Sequence, residues 1–212
     1  MKKFGILFLL LAIFVALTVL VSCNSEKPTD EDCFIFYPLD DGTYAVECDA
    51  TLVQYLTKIV IPENHKGKKV STIVNRAFFG CDNVKTIVIP NSVTTIGGSA
   101  FYGCSNLTYN EFDNGLYLGN TNNPYVILVK AKDETITSCT INEHTKIIFN
   151  YAFSRCSNLT SVVIPNGVTS IGDYAFGGCY KLTIYCEAES KPSGWSSDWN
   201  NSRRPVEWGY EK

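Results

Sequence analysis

Apolar positions in this chain recur every 23 residues, and four of them stay in phase. An Ala-Phe pair stands at Ala77-Phe78, Ala100-Phe101, Ala152-Phe153 and Ala175-Phe176, in steps of 23, 52 and 23. Four positions before each Ala is an isoleucine: Ile73, Ile96, Ile148 and Ile171. Four after it is a cysteine, and seven after it an aliphatic: Val84, Leu107, Leu159 and Leu182. A fixed period of this size means stacked supersecondary units, none able to bury its apolar side alone. The long step is two periods plus six residues, so one unit is degenerate or replaced.

Each unit predicts its own elements. Val84-x-x-Ile87-x-Ile89-Pro90 is a short strand with alternating inward positions, and Pro90, lacking an N–H, stops the ladder. Val93-x-x-Ile96-Gly97 is a second extended piece. Ala100 to Cys104 predicts a helical or 3-10 turn with Ala100 and Phe101 inward. Stacking turns these positions into columns of like on like. Three departures stand out. Five extra residues around Asn64-His65-Lys66-Gly67-Lys68 predict a loop insertion at one edge. In the third copy Asn142 replaces the proline and Thr145 the valine. Residues 114–129 carry two apolar runs around a Gly/Asn/Pro cluster, which predicts a β-hairpin in an irregular unit at about 109–135.

The pattern resembles the BspA-type leucine-rich repeat: L-x-x-L-x-L, Ile-Pro after the strand, then Ala-Phe-x-x-Cys. It covers roughly residues 39 to 186. The resemblance implies a leucine-rich-repeat solenoid, mainly β. Its parallel sheet would lie on the concave face and its short helical or 3-10 turns on the convex side. It also implies surface display and binding of a protein or glycoprotein partner.

The chain begins with Met1-Lys2-Lys3 and a near-continuous apolar run from Phe4 to Val21. Leu20-Val21-Ser22-Cys23 resembles a bacterial lipobox. The expected organisation is a lipoprotein signal peptide over 1–22, acylation of Cys23 and a flexible tether over 23–32. The solenoid follows over 33–186, and a C-terminal cap over 187–212. The expected location is the bacterial cell envelope, lipid-anchored and surface-exposed. The alternative is a retained membrane span, since about 18 apolar residues just cross a bilayer. Losing residues 1–22 removes two lysines and no acids, leaving 16 basic against 21 acidic residues. That balance argues against nucleic acid as a partner.

Nine cysteines in an exported chain suggest disulfides. The columns point elsewhere: Cys81, Cys104, Cys156 and Cys179 share one inward position, and Cys139 aligns with inward Ile87 and Val162. A Cys33–Cys48 bridge across an Asp40-Asp41-Gly42 turn and free thiols both stay open. The two histidines, His65 and His144, have no nucleophile and carboxylate at telling spacing, and are expected to be solvated loop residues. No G-x-S-x-G, phosphate-binding loop or H-E-x-x-H occurs. The expectation is no catalysis, no cofactor and no metal.

Two surfaces remain as candidates. Val60, Val88, Thr140 and Val163 align as an outward strand column flanked by Lys58, Lys85 and Ser161. Short apolar residues ringed by polar ones suit a protein-binding strip, while β-propensity on an exposed sheet explains them equally. All three tryptophans, Trp195, Trp199 and Trp208, lie near the C-terminus with Tyr210. They form either a cap or an aromatic platform for sugars. Adhesion or recognition through the strip leads; a structural envelope role and a carbohydrate-binding module or carbohydrate-active enzyme are the alternatives.

Overall fold

The computed structural model describes residues 31–211. The expected signal peptide, Cys23 and most of the expected tether lie outside them. Within the tether, Glu31 and Asp32 open a 3-10 turn that ends at Cys33.

An antiparallel hairpin follows this turn, β1 (Phe34–Pro38) and β2 (Tyr44–Cys48). The first regular coil holds β3 (Lys58–Val60), β4 (Asn64–His65) and β5 (Lys68–Ile73). The next holds β6 (Thr86–Val88) and β7 (Thr95–Ile96). A meander follows: β8 (Asn110–Phe112), β9 (Gly115–Leu118) and β10 (Ile127–Ala131). Then come β11 (Ser138–Thr140), β12 (Ile147–Ile148), β13 (Ser161–Ile164), β14 (Ser170–Ile171), β15 (Thr183–Cys186) and β16 (Val206–Trp208).

Stacking sorts these pieces into three rows of a solenoid of about seven turns. The concave row pairs β3 with β6, and β11, β13, β15 and β16 in succession, all parallel. A second row pairs β2, β5 and β7, and separately β10, β12 and β14. The third row is built from the Ala-Phe turns, which are single turns of 3-10 type: Tyr102 N donates to Ser99 O at 3.1 Å and Cys104 N to Phe101 O at 3.3 Å. Turns also bond to one another, Phe78 N to Ala100 O at 2.9 Å and Phe153 N to Ala175 O at 2.7 Å.

Like packs on like inside. Phe78 and Phe101 stack at 5.9 Å, and Phe153 and Phe176 at 5.4 Å. The thiols of Cys104 and Cys179 donate to the carbonyls of Phe78 and Phe153, one coil back. The column ends on Trp199, 23 residues after Phe176 and edge-on to it at 5.9 Å. The C-terminal segment therefore keeps the register: β16 extends the concave row, and Trp195 bridges to Ile171 in the second row.

One sequence expectation is corrected, and one open alternative is decided. The insertion is no irregular loop. β4 and β5 close on Lys66 and Gly67, whose φ values of 49° and 75° suit a primed hairpin turn. The Cys33–Cys48 bridge is not formed. Register places Phe34 opposite Cys48, and Cys48 keeps a free thiol directed at the Cys33 carbonyl.

The predicted hairpin at 114–129 is present as β9 and β10. Its second strand has an additional role. Ile127, Leu128 and Val129 are all buried, and alternate side chains enter different cores. Ile127 and Val129 join Phe78, Phe101 and Phe149, whereas Leu128 joins Phe153, Phe176 and Trp199. The strand is a partition between two hydrophobic cores.

Phe176→Ala should cost about 3–5 kcal/mol of stability in urea unfolding, since the stacked ring is fully enclosed. The exposed Phe79→Ala should cost no more than about 1 kcal/mol.

Candidate binding surface

The concave row is outward-facing at alternate positions of each short strand. Val60 sits opposite Val88, both half-buried, with Lys58 opposite Thr86. Lys85 is exposed and its N–H holds Thr57 O at 2.8 Å. Further along, exposed Thr140 sits opposite half-buried Val163, and Ser138 opposite Ser161. The expected single strip is thus two patches. Val88 is followed by Gly119, at the end of β9, and not by Thr140. The edge of β11 meets side chains there: Asn114 Nδ2 donates to Ser138 O at 2.9 Å, and Thr140 N donates to Asp113 Oδ2 at 2.6 Å. A hollow of about 270 Å³ marks the junction, lined by Thr86, Val88, Thr108, Asn110, Asn120 and Pro124.

The second patch runs further than the sequence suggested. Val163 pairs with Tyr185 and Tyr185 with Glu207, so the outward column is Thr140, Val163, Tyr185 and Glu207. Tyr185 leans on Tyr210 at 4.9 Å. The alternation in Ile184-Tyr185-Cys186 carries that signal, with Ile184 and Cys186 buried and Tyr185 half-buried.

The tryptophans divide by burial. Trp195 and Trp199 are 3% and 6% exposed, and Trp195 Nε1 donates to Val168 O at 3.1 Å. Trp208 packs on both and is 37% exposed. Two of the three rings are therefore closed off from any ligand. Exposed aromatics gather instead on the turn row, as stacked pairs Phe79–Tyr102 and Tyr151–Tyr174, each at 5.5 Å. The sequence reading missed these pairs, although each repeats at 23 residues.

The histidines differ from one another. His144 is exposed, with Nε2 at 3.6 Å from the neighbouring Glu143 carboxylate. His65 is not solvated: it stacks flat on Phe36 at 3.8 Å, meets Tyr44 edge-on and holds Glu31 at 2.7 Å. The β4–β5 hairpin folds it over the first sheet. Asp41 and Asp133 accept from the hydroxyl and the N–H of the threonine two residues on, and these bonds lower both carboxyl pKa values, so both shape turns. Among the described residues no group of three or more His, Cys, Asp or Glu is placed to hold a metal ion.

The family model for the BspA type leucine-rich repeat region matches residues 52–122 and 131–191, in six copies. The chain belongs to the BspA-type leucine-rich repeat family. The unmatched stretch between the two blocks falls on the β9–β10 connection and most of β10. Leucine-rich repeat proteins are typically non-catalytic and usually bind proteins. Among solved structures, the chain is similar to a leucine-rich repeat protein of T. pallidum. The two are 25% identical over 75% of this chain and 71% of that one, with a TM-score of 0.46. A leucine-rich repeat protein of Bacteroides capillosus is 24% identical over 77% and 100%, with a TM-score of 0.41. A leucine-rich cell surface protein of Faecalibacterium prausnitzii is 21% identical over 82% and 58%, with a TM-score of 0.35. No curated protein matches the chain.

In this BspA-type solenoid seven cysteines of the described residues are free thiols buried in the core. Burial pushes the thiols of Cys48, Cys139, Cys179 and Cys186 from an ordinary value near 9.0 up to about 12. The Cys81 thiol is also raised, first by its hydrogen bond to Cys104 and then by burial. A raised thiol pKa stabilises the fold fully below about 9 and loses that contribution as pH climbs towards about 12. Urea midpoints should therefore fall progressively above pH 9. Iodoacetamide at pH 8 should label these thiols only after unfolding.

Proposed function

We propose that this protein is a lipid-anchored envelope component that binds a partner protein non-covalently through the concave row of its C-terminal half. One observation carries the reading: Thr140, Val163 and Tyr185 stand in register on three adjacent parallel strands and face outward. Such a strip offers aliphatic and aromatic contact without long flexible side chains, and its polar neighbours Ser138, Ser161 and Thr183 can satisfy a partner's edge groups. Tyr is among the residues that most often dominate interface energetics. Val60, Val88, Lys58 and Lys85 form a smaller patch across the hollow, which a large partner would span. Acylation at Cys23 would put many copies on one surface and add avidity.

A structural role, in which the strip holds neighbouring envelope proteins or other copies of this chain, is the second reading. The outward residues of β11 and β13 would serve such a neighbour by face-to-face contact. A sugar-binding role at the tryptophan-rich end is disfavoured by the burial of Trp195 and Trp199.

A photo-cross-linking residue at Thr140, with one at the exposed Lys146 as control, separates these on intact cells. Adducts to proteins of another cell or of the medium, found at 140 and lost with Val163→Asp, support recognition. Adducts only to envelope proteins support assembly, and equal labelling at both positions removes the concave-row reading. The anchor is tested separately: the N-terminal peptide should carry the mass of acyl chains on Cys23, and Cys23→Ser should release the protein from membranes.

A further inference from the structure

The missing Ala-Phe turn has a spatial result. The irregular coil supplies β10, whose Ala131 N–H bonds to Ala152 O at 2.7 Å, but contributes no Ala-Phe turn. An open notch of about 520 Å³ is left between the turns at 99–104 and 150–156. Phe101, Tyr109, Val129 and Phe149 line it from within, and Tyr102 and Tyr151 stand at its two lips. Each lip tyrosine is braced by the stacked ring behind it, Phe79 or Tyr174. Lys130 is the one charged residue in the lining, with Nζ 5.1 Å from the Tyr109 ring centre.

The lip at Tyr151 is not a packing requirement. Its backbone is left-handed, φ 61°, as are the equivalent Arg76, Ser99 and Tyr174. That column accepts arginine, serine or tyrosine, and glycine would adopt the conformation with less strain. A bulky ring 57% exposed there serves the surface and not the core.

We propose that the notch is a docking pocket for a partner protein segment that inserts one aromatic or long aliphatic side chain beside a carboxylate. The volume lies in the range of specific ligand pockets, and the ring-lined interior matches an apolar side chain. Lys130, a cation in a chain of net charge −3, supplies the complementary charge for the carboxylate. A saccharide fits less well, because the lining holds no carboxylate to accept hydroxyl protons. This goes beyond the concave-row reading, since the notch lies on the turn row and either surface could act without the other.

Amide NMR shifts of the isotopically labelled full chain test it, with N-acetyl-Phe-Asp-amide, N-acetyl-Phe-Asn-amide and maltotriose as probes. The Asp dipeptide should move Val129, Lys130, Phe149 and Tyr151 and leave Val163 and Tyr185 in place. The Asn dipeptide should bind about threefold more weakly. Lys130→Gln should erase that difference, and Tyr102→Ala or Tyr151→Ala should weaken both dipeptides while shifts elsewhere stay unchanged. Absence of notch shifts with the Asp dipeptide, equal affinity of the two dipeptides in the parent, or larger notch shifts from maltotriose would each overturn the proposal.

Discussion

Every coil must return to its starting point displaced by one strand spacing, about 4.8 Å. That closure condition governs the molecule. It places residues 23 apart directly over one another, so each position must tolerate its own kind above and below. Flat aromatic rings do so by stacking, as Phe153 and Phe176 show. Thiols do so by donating to a carbonyl one coil back, as Cys179 does to Phe153. Cysteine suits the column because it is small, apolar and still able to occupy that carbonyl.

The same condition explains the irregular unit. A coil that departs from the period cannot close over its neighbour, and the concave row breaks between β6 and β11. The break leaves no open ladder, because Asp113 and Asn114 occupy the exposed N–H and C=O of β11. Polar side chains at a strand edge also resist further pairing, which limits edge-to-edge association. On the opposite side the missing turn opens the notch.

Most of the fold was legible because the repeat columns have one physical cause, burial by stacking. The strands after Val84 and Leu159, the extended pieces at Ile96, Ile148 and Ile171, and the hairpin at 114–129 all followed from apolar spacing and turn residues. What escaped notice depended on side chains meeting across units. His65 looked solvated because its partners, Phe36, Tyr44 and Glu31, come from the other side of a hairpin. The candidate column Val60–Val88–Thr140–Val163 aligned in sequence yet is split in space, since alignment does not register what lies between two copies. Trp199 sits where the next Phe is due, but Asp198 in place of Ala hid the match.

The two cores meet across β10, with Ile127 and Val129 on one side and Leu128 on the other. In a repeat array, stability is a sum of unit terms and neighbour-interface terms, and cooperativity extends only as far as the interfaces stay strong. The concave row has no continuous strand pairing across this boundary, so coupling there rests on β10 and on Ile147 and Phe149, which reach into the N-terminal core. The N-terminal and C-terminal halves are thereby set up as two foldons. Local opening of one half can leave the other intact.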